Sequence, residues 1–297
     1  MTQPSARRGI FWMVVTGVMF VTVTALVKYT DGRVPAAQSA FLRYLLGLVF
    51  LIPMIKPILD AHLTKRQLIL FSARGFVHTL AVICWFYAMT RIPLAEVTAM
   101  NYLGPVYVTI GAALFLGEKL ALPRIAAIIC ALIGALIILR PGFREVDIGH
   151  IAMLFTAFGF GAGYLLAKQL SGQLGPAVIV GMLSITVTIG LAPFAYAVWV
   201  PVSFHDIVIL FGVACFATAG HYTMTLAFAA APVTVTQPAT FLQLVWATLL
   251  GVVVFGEPVD AWVVFGGLVI VASVIFITWR EAQKKRAVTP VTHETKV

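Results

Sequence analysis

The chain has 297 residues, of which 61% are hydrophobic and 10% charged, and its mean hydropathy is +1.01. Soluble domains carry roughly 25% charged residues, so a water-soluble enzyme or adaptor is excluded and a polytopic membrane protein is expected. The net charge of +9 invites a nucleic-acid reading, but the basic residues are distributed as a topology signal, and no nucleic-acid partner is expected.

A helix needs about 20 apolar residues to cross a hydrocarbon core roughly 30 Å thick. Ten such stretches lie between charged or Pro/Gly-marked breaks, none of them long enough for a soluble domain. The first, 10–30, follows a short basic lead without a small-residue cleavage site, which is expected to be retained. It carries Thr16, Phe20, Thr24 and Lys28 at steps of four, on one helical face. The second, 36–55, holds Arg43; the third, 67–90, holds Arg74 and His78 one turn apart, with Trp85 further on. The fourth, 93–116, carries Thr98, Asn101, Tyr102, Pro105 and Thr109 at steps of three and four and closes on the LGE turn at 116–118. The fifth, 121–139, is apolar throughout.

The sixth, 149–170, repeats the first face with Thr156, Phe160, Tyr164 and Lys168. The seventh and eighth, 177–199 and 206–230, hold Ser184 and the pair His221 and Tyr222. The ninth, 233–255, answers the fourth with Gln237, Thr240, Phe241, Leu244 and Thr248, and closes on Gly256 and Glu257; the tenth spans 259–279. Cys84, Cys130 and Cys215 are odd in number, dispersed and within spans, so neither a disulfide framework nor a metal site is expected, and no cofactor is indicated.

These answers come at a fixed distance. At an offset of 139, Ala88 matches Ala227, Pro93 matches Pro232, Gly117 matches Gly256 and Glu118 matches Glu257; at 140, Thr16 matches Thr156 and Lys28 matches Lys168. The chain therefore reads as a tandem duplication, residues 1–142 and 143–281, with a basic, polar tail over 282–297. Five helices per copy force the second copy to enter the membrane from the opposite side. Of the 20 Lys and Arg residues, 13 then fall in segments on one side, from Arg7 and Arg8 to Lys296. Five, Lys28, Arg33, Arg91, Arg140 and Arg144, fall on the other, and Arg43 and Arg74 lie within spans. By the positive-inside rule both termini are expected in the cytoplasm. The fold class is thus an all-α membrane protein: ten transmembrane helices in two inverted five-helix repeats.

Inverted repeats are a transporter architecture, with the solute site near the midplane between the halves. Polar side chains within hydrocarbon are expected to face protein or a cavity. The candidate substrate-binding residues are Thr16, Phe20, Arg43, Arg74, His78, Trp85, Thr98, Asn101, Tyr102, Tyr164, His221, Tyr222, Gln237, Thr240 and Phe241. No Asp or Glu lies deep in a span, since Glu96, Glu118 and Glu257 sit near boundaries. Such a cavity repels a bare cation, and proton coupling would have to use a histidine or Glu96. The Gly-Glu turns read as helix ends, glycine stopping one helix and the carboxylate capping the next.

The chain resembles the EamA-type ten-helix branch of the drug/metabolite transporter superfamily. The resemblance rests on FLRYLLG around Arg43, the run FYAMTRIPLAEVTAMNYLGPV, the LGE turn, IGALIILRPG ending at Gly142, and the weaker second copy AFAAAPVTVTQPATF. It implies transport of a small metabolite across a bacterial inner membrane. Riboflavin uptake is the leading expectation, because the solute is neutral, planar and rich in hydrogen-bonding groups. S-adenosylmethionine or an amino acid is the alternative, and a membrane-embedded transferase a remote one.

Overall fold

The computed structural model describes residues 6–116, 121–143, 145–171, 173–231, 236, 239–240 and 242–288. Among them the chain is helical throughout, without a β-strand. The helices are α1 (Ala6–Tyr29), α2 (Ala36–Gly47), α3 (Ile55–Leu59), α4 (Lys65–Arg91), α5 (Leu94–Asn101), α6 (Gly104–Leu116), α7 (Leu122–Leu139), α8 (Ile148–Ser171), α9 (Pro176–Ala197), α10 (Phe204–Ala230), α11 (Leu242–Phe255) and α12 (Ala261–Val288). Eight helical stretches are long and apolar enough to cross a membrane, and Leu242–Phe255 is a shorter apolar helix. The protein is a multi-pass membrane protein.

Local chemistry sets the ends. Thr64 and Gln67 form a reciprocal capping box that opens α4, with Gln67 N donating to Thr64 Oγ1 (3.3 Å) and Thr64 N to Gln67 Oε1 (2.9 Å). Ser203 caps α10 by accepting from Asp206 N. Asp260 Oδ1 accepts from Trp262 N and opens α12. The run Val252–Phe255 ends α11 at Gly256, whose φ of +65° suits a residue without Cβ.

Two expected spans differ. The stretch 36–55 passes from α2 through a 3-10 segment, Leu48–Met54, into α3, and so reaches Leu59; Pro53 and Pro57 remove the backbone donors that a continuous helix needs there. The stretch 93–116 is two helices. Pro105 has no N–H for the carbonyl of Asn101, and Tyr102 and Leu103 donate instead to Ala99 and Met100, three residues back. The face expected to run unbroken from Thr98 to Thr109 is therefore interrupted at Tyr102. The ninth stretch is described as helix from Leu242 onward.

The helices pack in seams that pair one half with the other. Between α1 and α10, Gly9 meets Ala231, Thr16 meets Thr223 and Phe20 meets His221; beyond the helix end Arg33 meets Asp206. The paired residue numbers total 240, 239, 241 and 239, so the two helices run antiparallel. Between α4 and α8, Arg91 meets Gly149, Ala81 meets Gly159, His78 meets Gly163 and Gln67 meets Gln173, with totals of 240, 240, 241 and 240. The two seams are the same seam read twice. Adding 140 to Gly9 and subtracting it from Ala231 gives Gly149 and Arg91, themselves in contact.

A second pair of seams obeys the same rule. Gly75 of α4 packs on Thr186 of α9, and an offset of 139 carries that contact to Ala214 of α10 and Gly47 of α2, which also touch. On the outer flank α7 crosses α12 glycine to glycine: a Cβ at Gly134 would lie 2.8 Å from the Gly266 oxygen, and one at Gly266 2.6 Å from the Gly134 oxygen. With little hydrophobic drive between helices in lipid, such close backbone approach supplies the packing. The main buried core, including Phe86, Met89, Met100 and Leu103, lies between these seams.

Candidate functional site

The ionisable residues of α2, α4 and α10 converge between the seams. The Arg43 guanidinium lies 4.0 Å above the Tyr44 ring, a cation–π arrangement, and Tyr44 Oη is 3.0 Å from His78 Nε2. The His78 ring lies at 4.9 Å from that of Phe160 on α8, tilted by 32°. Phe160 in turn receives the edge of Trp85 at 5.9 Å. Across the space, Phe20 of α1 and His221 of α10 meet edge to face at 5.2 Å. Arg43 and Arg74 are both near enough to His78 and His221 for their charges to be felt there, and Arg74 stands likewise to Tyr164. His221 is exposed and Tyr164 is 58% exposed, while Arg43, His78 and Trp85 are half-buried. The cluster stands at the edge of the main buried core, to which Tyr44 belongs and against which Trp85 and Phe160 pack.

Arg74 is buried and anchored, with Nη1 donating to the Ile179 carbonyl of α9 (3.1 Å); its Nε makes no hydrogen bond within the described protein. The second group of expected site residues gathers at the helix break. Asn101 ends α5 half-buried, Thr98 is buried one turn earlier, and Tyr102 Oη donates to the Thr240 carbonyl at 2.7 Å. Tyr102 thus spans from the interruption in the first half to the equivalent place in the second. A break of this kind at membrane depth is tolerated where backbone lies buried or lines a cavity.

Two expected residues are placed differently. Thr16 is buried, donating to the Trp12 carbonyl (2.8 Å) and meeting Thr223 Oγ1 (2.9 Å), so its hydroxyl joins α1 to α10. Tyr222 is 66% exposed and no hydrogen bond or ring contact brings it to the His221 cluster. Gln237 and Phe241 lie outside the described residues, as do Gly117 and Glu118 of the first Gly-Glu turn. Glu257 of the second turn reaches farther than a local cap. Its carboxylate pairs with Lys28 of α1 (2.7 Å) and accepts from Leu94 N at the start of α5 (3.0 Å).

Tyr44 was not among the expected site residues, although it lies beside Arg43 and carries the link to His78. The only signal available was its position next to a charge within a span. His150 escaped notice as well: the Glu96 carboxylate, near a boundary in sequence, is buried in contact with its imidazole. Among the described residues no group of three His, Cys, Asp or Glu side chains could hold a metal ion.

Guanidinium groups, imidazoles and aromatic faces gathered in this way are groups that bind a polar solute by donated hydrogen bonds and ring stacking. Comparison with known proteins agrees in class. The EamA-like transporter family model matches residues 7–140 and 147–279. The chain is 28% identical to a riboflavin transporter of Rhizobium johnstonii over 96% of its own length and 95% of that protein. It is 26% identical to a pseudopaline exporter of Pseudomonas aeruginosa over 92% and 96%. It is 22% identical to an S-adenosylmethionine uptake transporter of Rickettsia prowazekii over 92% and 93%. A solved crystal structure superposes with a TM-score of 0.60 over 96% of this chain and 100% of its own, at 16% identity.

Proposed function

Because the chain belongs to the EamA-like transporter family, we propose that it carries a small polar metabolite across the bacterial inner membrane by alternating access, and that riboflavin uptake is its activity. The observation that supports a carrier most directly is the duplicated seam: α1 on α10 and α4 on α8 are antiparallel pairs at one common register, exchanged by the repeat offset. If α2, its 3-10 continuation and α3 cross once, α8, the copy of α1, runs opposite to α1. That is the geometry of inverted repeats, 1–142 and 143–281. Reading α5 with α6, and 233–255 with α11, as single spans gives ten, with both termini in the cytoplasm. Such a pair of halves can rock about a shared site and open it to either side in turn.

The site's chemistry favours riboflavin. The Phe160–Trp85 corner offers faces to a planar ring system, worth about 0.5–1.5 kcal/mol per aromatic pair beyond burial. Arg43 offers donors to ring carbonyls, and Asn101 can pair with the ribityl hydroxyls. The two arginines also suit a zwitterionic or anionic amino-acid-like solute, which is the second reading; a cationic sulfonium beside them is unfavourable. Uptake of labelled riboflavin by a riboflavin auxotroph expressing this chain tests the assignment, with excess S-adenosylmethionine and amino acids as competitors. Uptake blocked by unlabelled riboflavin alone supports it, and no uptake removes it.

A further inference from the structure

The Tyr44 hydroxyl has one hydrogen-bond partner among the described residues, the imidazole of His78, with Oη 3.0 Å from Nε2. Tyr44 is buried in the main core, and the Arg43 guanidinium lies over its ring. A buried phenol has a proton to place, and leaving it without an acceptor carries a penalty that a bonded donor avoids. Nε2 is the acceptor within reach. A ring nitrogen that accepts carries no proton, so the neutral imidazole holds its one proton on Nδ1. The burial of Tyr44 thus sets the tautomer of His78.

Nδ1 itself has no hydrogen-bond partner among the described residues, and the His78 ring is half-buried. Gly163 of α8 stands beside this nitrogen. A Cβ built there would lie 3.8 Å from Nδ1 and meet no other atom of a neighbouring helix within 4 Å. One turn earlier on the same helix, Phe160 packs on the imidazole at 4.9 Å and holds its plane.

We propose that Tyr44 is a positioning residue that holds His78 in its Nδ1–H form, and that Nδ1–H is the donor with which the site reads a hydrogen-bond acceptor on the solute. This rests on the transport reading above and adds to it the polarity of one wall. The Arg43 guanidinium carries donors and no acceptor. The Tyr44 proton is spent on Nε2, and His78 turns its remaining proton outward. Arg43 and His78 therefore present donors alone. A solute edge of adjacent acceptors, carbonyl oxygens or ring nitrogens without hydrogen, matches such a wall, and an edge of N–H groups is rejected by it. The oxidised flavin ring has edges of the first kind, each pairing a carbonyl with a bare ring nitrogen. The other tautomer would reverse the preference at His78, which gives a hydroxyl one residue removed from the solute control over selectivity.

The full chain in lipid nanodiscs, with riboflavin as probe, provides the test. Histidine nitrogen NMR spectra, with the His78 signals identified by their loss in His78→Asn, are expected to show a protonated Nδ1 and a bare Nε2. In Tyr44→Phe that single tautomer is expected to give way to a mixture, and riboflavin binding, read from flavin fluorescence, to weaken several-fold. A hydroxyl with a structural role alone would lower the melting temperature and leave the tautomer unchanged. His78→Gln can still reach Tyr44 but places no donor at Nδ1, and is expected to bind at least as weakly as Tyr44→Phe. His78→Asn, whose amide nitrogen falls near the place of Nδ1, is expected to recover part of the lost affinity. Gly163→Ala introduces a better helix former and is expected to fold as the wild type does, yet its methyl group stands against Nδ1. It is expected to bind riboflavin several-fold more weakly with the tautomer unchanged. A proton on Nε2 in the wild type overturns the proposal, as does undiminished binding in Tyr44→Phe or in Gly163→Ala. A wild type that binds no riboflavin overturns the substrate reading, and the spectrum then judges the hold of Tyr44 on His78 by itself.

Discussion

The hydroxyl of Tyr102 donates to the main-chain carbonyl of Thr240 at 2.7 Å, so a residue at the break in the first half holds the chain at the equivalent place in the second. A neutral hydrogen bond contributes about 0.5–1.5 kcal/mol. Tyr102→Phe keeps the ring and leaves that carbonyl without its phenol donor. The expected result is a melting temperature lowered by a few degrees and a larger fractional loss of solute uptake, read from thermal unfolding in detergent and from uptake in cells. Unchanged uptake would show that the bridge plays no part in the moving parts.

Gly75 and Gly47 differ in what they tolerate although both stand in the duplicated α4–α9 and α2–α10 seams. A Cβ at Gly75 would lie 2.5 Å from Thr186 Oγ1, whereas at Gly47 the nearest atom, Ala214 Cβ, is 3.8 Å away. Gly75→Ala is expected to cost about 1–3 kcal/mol through overpacking, and Gly47→Ala close to nothing. Expression level and melting temperature of the two variants, side by side, check the difference.

Lys28 and Glu257 close one end across the repeat. Their side chains are 18% and 12% exposed, and Lys28 Nζ also donates to the Ile92 carbonyl. Removing one partner of a buried pair costs about 3–5 kcal/mol, since it strands the other charge. Lys28→Met is therefore expected to destabilise the protein strongly and to raise the reactivity of a cysteine placed at Ala95, which lines a crevice with Val252 and Glu257. The double variant Lys28→Met with Glu257→Gln is expected to recover stability but to keep the raised reactivity. A cysteine equally protected in all forms would contradict the closure.

Arg91 and Asp147 make an exposed pair at the same end, 2.9 Å apart. The hydrogen bond from Arg91 holds the Asp147 carboxyl below its usual range. A lowered carboxyl contributes stability above its unfolded value and loses it as the pH falls through the folded one. The pair is half-open to water and screened, so the effect is small. Arg91→Gln is expected to melt slightly lower than the wild type at neutral pH, with the difference closing as the pH falls through the carboxyl range, and curves that coincide at every pH would show that the pair contributes nothing measurable.

Eight of the expected spans were legible because hydropathy reports length directly. The helix break was not, since Pro105 frees the Asn101 carbonyl but period and composition do not say whether a span bends or parts. The offset of 139 to 140 was legible in single letters such as Pro93 and Pro232, and it extends to contacts, where Gly75 on Thr186 becomes Ala214 on Gly47. What the letters withheld was partnership across distance. Glu257 reads locally as a cap, and only the fold brings it to Lys28 and Leu94. His150 reads as a lone histidine near a helix start until Glu96 arrives from another helix. Thr16 reads as a cavity residue by its face, yet that face meets α10.

The constant total of about 240 also bears on ancestry. Each of these seams joins an element of one copy to an element of the other, so one copy alone would leave every one of them open. The unduplicated precursor would have needed a second molecule to supply the antiparallel partner helices. By the same logic the present chain, severed in the connector between Gly142 and Asp147, should yield two fragments that are unstable when made singly and that reassemble when made together.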